Sequence, residues 1–268
     1  MQWRFNEGRN RNASFGGQQE AIVAFNSTER ARALLAQCPN HAETPLRTLP
    51  ASGAFARLAA LYLKDESGRF GLGSFKALGA GYAIMPTITD RAERLHGRSI
   101  ALGSAEWREV AAQCTFVCAT DGNHGRAVAA SAKHVGARAV IYVHEGVTAH
   151  RQAAIEQFGA EVCIVAGEYD VAVKAADDAA RLNGWILASD TSYPGCEDMP
   201  RLVMQGYTVL IAEAIEQASH DASFPFTHIF VQAGVGGLAA AVAGHVWQRL
   251  ASEQPTIVVV EPERADCL

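Results

Sequence analysis

Nowhere in the 268 residues do lysine and arginine form a run, and acidic residues outnumber basic ones by 28 to 23, for a net charge of −5. A nucleic-acid partner needs a basic patch or arm, so charge alone speaks against that class and against a membrane-surface patch. Long apolar runs are missing too: none approaches the ~18 residues of a membrane span. The opening segment MQWRFNEGRNRNASFGG holds no apolar core of the kind a secretory signal carries. Cysteine is sparse and scattered (Cys38, Cys114, Cys118, Cys163, Cys196, Cys267), with no CxxC pair. The CED stretch at 196–198 has no accompanying ligand cluster for a metal. These gaps lead to the expectation of a cytoplasmic protein of one or two domains, with mostly buried free thiols, no metal, no membrane and no nucleic acid.

What is present is alternation. Short apolar, β-branched runs are CTFVC (114–118), RAVIYV (138–143), EVCIVA (161–166), WILAS (185–189), HIFVQ (228–232) and TIVVVE (256–261). Alanine-rich amphipathic stretches lie between them, such as GRAVAASAKHV, YDVAVKAADDAARLN and GGLAAAVAGHVWQRL. Strands buried on both faces read as continuous apolar runs, and parallel pairing needs helical crossovers, so the chain reads as α/β, built from βαβ units. Glycine falls just past a helix in EQFGAEV and RLNGWI, as a left-handed cap requires, and Thr148 is a candidate helix N-cap. Segment 85–112 has weak periodicity, with a proline and polar residues in MPTITDRAERLHGRS, and receives no firm assignment. Residues 1–20 are polar without a clear period. One set of βαβ units spans about 80–192, and a second starts near Asp198. A sheet that ends on a hydrophobic strand is normally covered by a further helix, so TIVVVEPERADCL reads as a chain cut short.

Three elements could carry chemistry. In RFGLGSFKALGAGYA, Lys76 opens a small-residue helix. A lysine packed in apolar surroundings is a Schiff-base candidate, because burial favours the free amine; the alternative is a surface lysine in a first helical turn. In ATDGNHGRAVA (119–129), Gly122 and Gly125 flank Asn123 and His124. Such a strand-to-helix turn can present amides to an anion or be a plain turn, and Asp121 puts a carboxylate in it. In VQAGVGGLAAAVAG, a strand feeds Gly234, Val235, Gly236 and Gly237 and then a helix, the geometry of a phosphate cradle. It is neither GxGxxG nor a P-loop, so a nucleotide is disfavoured. A Schiff-base lysine, an amide-bearing turn and a phosphate cradle, in that order on βαβ units, are together what pyridoxal 5'-phosphate needs.

At this point the chain resembles the fold type II family of pyridoxal-phosphate enzymes, from about residue 40 to the end. The resemblance implies two open twisted sheets flanked by helices, with a small domain over 80–192. It also implies a large domain over 1–79 plus 193–268, incomplete at its C-terminus. GSFKALGA is similar to the family's lysine motif, implying Lys76 as the Schiff-base residue. DGNHG is similar to its asparagine loop, implying Asn123 beside the ring hydroxyl. GVGGL is similar to its phosphate loop, implying Gly234, Val235, Gly236, Gly237 and Leu238. The residue contacting the pyridine nitrogen has no counterpart within 1–268, and the family builds homodimers.

Asp121 narrows the resemblance, because most members carry a small neutral residue two before the asparagine. An acid there resembles the diaminopropionate ammonia-lyase subfamily, as do LYLKDESGRFGLGSFKALG, EPERADCL and SDTSYPGCEDMPRLVMQGYTVL. The last of these carries Asp190, a second acid implied at the site. The implied reaction is α,β-elimination from 2,3-diaminopropionate to pyruvate and ammonia, with Lys76 and Asp121 as bases on opposite faces of a D- or L-substrate. Asp121 could instead hold the β-ammonium, or serve only as an Asx-turn residue that organises its loop. Asp190 could share the ammonium or relay a proton. His124 reads as loop support, and Cys196 and Cys267 as structural or inert thiols. Two alternatives stay open: a serine/threonine dehydratase-like enzyme, and a truncated non-catalytic remnant that binds the cofactor weakly.

Overall fold

The computed structural model describes residues 4–7, 13–23, 26–50, 52–221, 224–250 and 253–267. Along the chain, α1 (Gln18–Ile22) and α2 (Ser27–Leu35) precede an antiparallel pair, β1 (Leu46–Leu49) and β2 (Leu61–Lys64). Then follow α3 (Lys76–His96), α4 (Ala105–Gln113), β3 (Thr115–Ala119), α5 (Asn123–Val135), β4 (Arg138–His144) and α6 (Ala149–Glu156). The remainder is β5 (Glu161–Val165), α7 (Tyr169–Asn183), β6 (Ile186–Leu187), α8 (Asp198–Ala218), β7 (His228–Gln232), α9 (Gly237–Leu250) and β8 (Thr256–Val260). Each of the six apolar runs forms a strand, though WILAS contributes only the two residues of β6. The pairing of β1 with β2 was not expected from the sequence.

The parallel sheet has the order β5-β4-β3-β6, and β7 pairs with β8 in a separate parallel pair. Phe116, Cys118, Ile141 and Val143 face the main core that α3 and α5 share. The alternate residues Val117 and Val140 pack on Ala176 and Ala180 of α7. Both faces of the central strands are therefore covered, which is why they read as unbroken apolar runs. The chain steps from β3 through β4 to β5, then returns along α7 to place β6 on the other side of β3. That reversal creates a topological switch point between β3 and β6.

Segment 85–112 is helical at both ends despite its pattern, with a turn over 97–104 between them. Helix α3 continues through Pro86, although proline has no N–H for the carbonyl one turn back. Burial overrides the local cost: Tyr82, Ile84, Met85 and Ile88 are almost wholly inaccessible to solvent. The helix stops at Gly97, whose φ of 65° suits glycine. The Ser104 hydroxyl caps α4 by accepting from Trp107 N (3.2 Å), and Trp107 Nε1 donates back to Thr89 of α3 (2.9 Å). Gly159 and Gly184 take the left-handed conformation expected of them. Thr148 occupies the N-cap position of α6, but its hydroxyl makes no capping bond.

Two contacts fix α3 relative to α8. A Cβ on Gly206 would sit 2.4 Å from the Leu78 carbonyl oxygen, and one on Gly79 would sit 2.5 Å from Cε1 of Tyr207. The helices therefore touch almost backbone to backbone. Just before α3, Arg69 is fully buried and donates in a fork to Glu213 of α8, at 2.9 Å and 2.6 Å. Its Nε reaches Glu66 (2.8 Å), and Lys64 of β2 reaches Glu213 (2.7 Å). Burial opposes ionisation of Glu213, but Arg69 and Lys64 outweigh it and hold its carboxyl below the ordinary 4.5.

Gly206→Ala is expected to destabilise the protein by about 1–3 kcal/mol, because backbone must move to admit the methyl group; urea denaturation midpoints measure this. Glu213→Gln is expected to cost roughly 3–5 kcal/mol at neutral pH by leaving buried cations short of a counter-charge. Glu213 has a depressed folded-state pKa, so its contribution is present above 4.5 and drains as pH falls through the lower folded value. The gap between wild type and Glu213→Gln should accordingly narrow in acid and stay constant from pH 6 to 8 (~ two pH units clear of the carboxylate range).

Candidate active site

The carboxyl ends of β3, β6 and β7 and the first turn of α3 open onto one cavity of about 890 Å³. In open α/β sheets this is where ligands bind, outside the strand ends at the switch point. Lys76, Asp121, Asn123, Asp190 and the loop 234–238 all line it. The structure thus brings together every residue that the sequence singled out for the site.

Lys76 is the first residue of α3, and its Nζ forms a close ion pair with Oδ2 of Asp190. The ammonium also lies 5.6 Å from the Phe75 ring centroid and 6.0 Å from that of Tyr207. A surface position is therefore excluded: the amine points into the cavity against a carboxylate that is 8% exposed. Burial disfavours a charged Asp190, but the ion pair with Lys76 opposes it and its carboxyl stays below the usual range. His124 Nε2 donates to the Ala188 carbonyl (2.7 Å), tying the loop after β3 to the end of β6. Burial first, with Lys76 adding to it, lowers the His124 pKa against the opposing pull of Asp190, so the ring is neutral near pH 7. With its proton on Nε2, bare Nδ1 faces Asp190 at 3.6 Å.

The loop after β3 is organised by a residue the sequence reading passed over. The Thr120 hydroxyl accepts from Gly122 N and Gly125 N, both at 3.0 Å. Gly125 lets α5 close onto the sheet, since a Cβ there would meet Thr120 Cγ2 at 2.4 Å and Ile141 Cγ2 at 2.7 Å. Because these amides go to Thr120, Asp121 is not the residue that folds its own loop. Its side chain stands 62% exposed on the cavity rim, with Oδ1 3.2 Å from His144 Nε2. Arg151 Nη1 donates to the Asp121 carbonyl instead (3.2 Å). Asn123 opens α5 beside it.

On the far wall, β7 leads into Gly234-Val235-Gly236-Gly237-Leu238 and α9 begins at Gly237. Gly236 has φ of 80°, a conformation that favours glycine, and it turns the chain so that the helix N-terminus faces the cavity. Tyr207 and Tyr169 also line the cavity. Burial, then the Asp190 charge, drives the phenol pKa of each upward. Neither tyrosine carries a local motif. Thr120 does, as a hydroxyl two residues ahead of Gly122 in a glycine turn.

Thr120→Val keeps the shape and removes the shared acceptor, leaving two amide donors unsatisfied. It should lower stability by about 1–3 kcal/mol, read by thermal or urea unfolding, while Thr120→Ser should stay close to wild type.

A family model described as pyridoxal-phosphate dependent enzyme matches residues 38–268. The diaminopropionate ammonia-lyase of Salmonella typhimurium is 41% identical over 232 residues, covering 86% of this chain and 57% of that protein. The enzyme of the same name from Escherichia coli K12 is 34% identical over 258 residues, covering 96% of this chain and 64% of its own. The crystal structure of the Escherichia coli diaminopropionate ammonia lyase in complex with D-serine superposes with a TM-score of 0.81 at 33% identity, covering 94% of this chain and 64% of that one. The chain thus spans about three-fifths of the length of these relatives. Matched over most of its length, and with a lysine, an asparagine turn and a glycine cradle around one cavity, the chain belongs to the pyridoxal-phosphate dependent enzyme family.

Proposed function

We propose that this chain is a lyase that eliminates ammonia from 2,3-diaminopropionate with pyridoxal phosphate as cofactor. The observation that carries the reading is the placement of two acids, Asp121 and Asp190, with Lys76 around one cavity. The relatives named diaminopropionate ammonia-lyase support it. The cavity's groups suit the cofactor: the Lys76 amine reaches inward, Gly236 supplies a positive-φ cradle, and the buried Tyr207 hydroxyl has no protein partner among the described residues. Lys76 would hold the aldehyde, Asn123 the ring hydroxyl, and 234–238 the phosphate at the start of α9. When bound, pyridoxal phosphate supplies an electron sink for the carbanion left by loss of the α proton.

The chain's own residues divide the remaining tasks. Lys76 leaves Asp190 in order to act, and Asp190 is then a buried carboxylate suited to the substrate's β-ammonium. Lys76 Nζ takes the α proton on one face, and Asp121 takes it on the other. The β C–N bond breaks with its electron pair leaving on nitrogen as ammonia. The released enamine consumes one water and gives pyruvate and a second ammonia. That the relative binds D-serine supports a site open to D-amino acids. The reading includes a cytoplasmic homodimer with 80–192 as a small domain. In support, all six cysteines are free thiols, and no helix among the described residues is long and apolar enough to cross a membrane.

Lys76→Ala should abolish the visible absorbance band of lysine-linked cofactor and reduce turnover at least ~100-fold. In a pyruvate-release assay, diaminopropionate should outperform serine and threonine; preference for the hydroxy amino acids would indicate a dehydratase instead. Asp121→Asn should cost the D-isomer roughly 10²–10⁴-fold, and the L-isomer far less. Equal turnover of both isomers by this variant and the wild type would remove Asp121 from the mechanism.

A further inference from the structure

His144 ends β4, next to the loop that carries Asp121: Thr120 N donates to the Tyr142 carbonyl at 3.1 Å, extending the β3–β4 ladder to this point. The chain then turns sharply through Glu145 and Gly146, closed by Val147 N donating to the His144 carbonyl (3.0 Å). Within that turn the imidazole folds back over Gly146, whose N–H donates to His144 Nδ1 at 3.1 Å. Only glycine allows this, because a Cβ on residue 146 would lie 2.7 Å from the ring's Cε1 and 2.9 Å from Nδ1. A backbone N–H can only donate, so Nδ1 carries the lone pair and the proton of a neutral ring sits on Nε2. That nitrogen faces Asp121 Oδ1 at 3.2 Å.

Neighbouring charges are engaged elsewhere. Glu145 accepts from Gly167 N (3.1 Å), and Arg151 bonds the Asp121 carbonyl rather than its carboxylate. On a rim this exposed, an Asp–His contact adds little to folding stability. Its effect is directional: one carboxylate oxygen of a cavity-lining residue is claimed by a ring that does not itself line the cavity, and the other oxygen is free of that contact.

We propose that His144, locked in its Nε2-protonated form by Gly146, is a positioning residue that orients Asp121 toward the substrate. This rests on the reading of Asp121 as a base. A misdirected base loses rate rather than binding, and misplacement of about 1 Å can cost up to ~100-fold. His144→Ala is therefore expected to lower kcat for D-diaminopropionate by roughly ten- to a hundred-fold, with KM nearly unchanged and the L-isomer little affected. His144→Gln, whose amide can still donate, should recover part of the loss.

The test uses the full chain loaded with pyridoxal phosphate, and compares His144→Ala in the wild-type and Asp121→Asn backgrounds with both isomers. A D-selective loss that vanishes in the Asp121→Asn background supports the proposal. Equal loss for both isomers, or a loss that persists without the carboxylate, overturns it. Nitrogen NMR of the His144 ring decides the point without turnover. The proposal requires a protonated Nε2, a bare Nδ1, and an Nε2 resonance that moves on Asp121→Asn. A ring protonated at Nδ1, or an Nε2 signal indifferent to Asp121→Asn, overturns it. If neither isomer turns over, the lyase reading fails instead, and the NMR result still settles whether His144 and Asp121 are coupled; a kinetically silent Asp121→Asn removes Asp121 from the mechanism and overturns the proposal.

Discussion

Helices α3 and α8 meet where neither has a side chain to spare. Gly206 lies against the Leu78 carbonyl, and Gly79 against the Tyr207 ring. So close an approach leaves no slack in the position of α3, and Lys76 is its first residue. The same crossing sets Phe75 edge-on to Tyr207, at 5.1 Å between centroids, directly beside the lysine amine. Large side chains at the crossing would separate the helices by ångströms, and the amine would move with them. The buried Arg69–Glu213 fork acts in series with this contact, because it anchors the strand of chain that leads into α3 onto the same helix α8.

Against this frame the cavity is electrically graded. At its floor, Asp190 is paired with Lys76, so a buried carboxylate is kept charged by a neighbouring cation rather than by water. At the rim, Asp121 stands mostly in solvent beside His144. Two carboxylates of one residue type thus occupy different surroundings around one cavity, which is how similar groups are set to different tasks.

Much of the fold was legible because the central strands are covered on both faces and the helices keep a regular apolar stripe. Where the reading stopped, tertiary structure had overridden local rules. Pro86 sits inside α3 because the surrounding core stabilises the helix by more than the lost hydrogen bond costs. The cavity-lining residues Lys76, Asn123 and 234–238 were visible as motifs, since glycines mark turns and helix starts. Asp121 was visible because an acid is unexpected in such a turn. Tyr207 and His144 were not, because their roles exist only once distant segments meet, whereas the partners of Thr120 lie only two and five residues on and were within reach of the sequence. His144 lies 23 positions beyond Asp121 (144 − 121) and reaches it only when β4 pairs beside β3.

The exposure of Asp121 has an evolutionary consequence. A residue that carries no share of the core, and does not fold its own loop, can be exchanged without endangering the scaffold beneath it. Thr120 keeps the turn, the glycine crossing keeps α3, and Arg69 keeps the approach, whatever occupies position 121. Selection can then try out reaction chemistries at the rim one residue at a time, while the expensive part of the protein, its buried floor, is inherited unchanged.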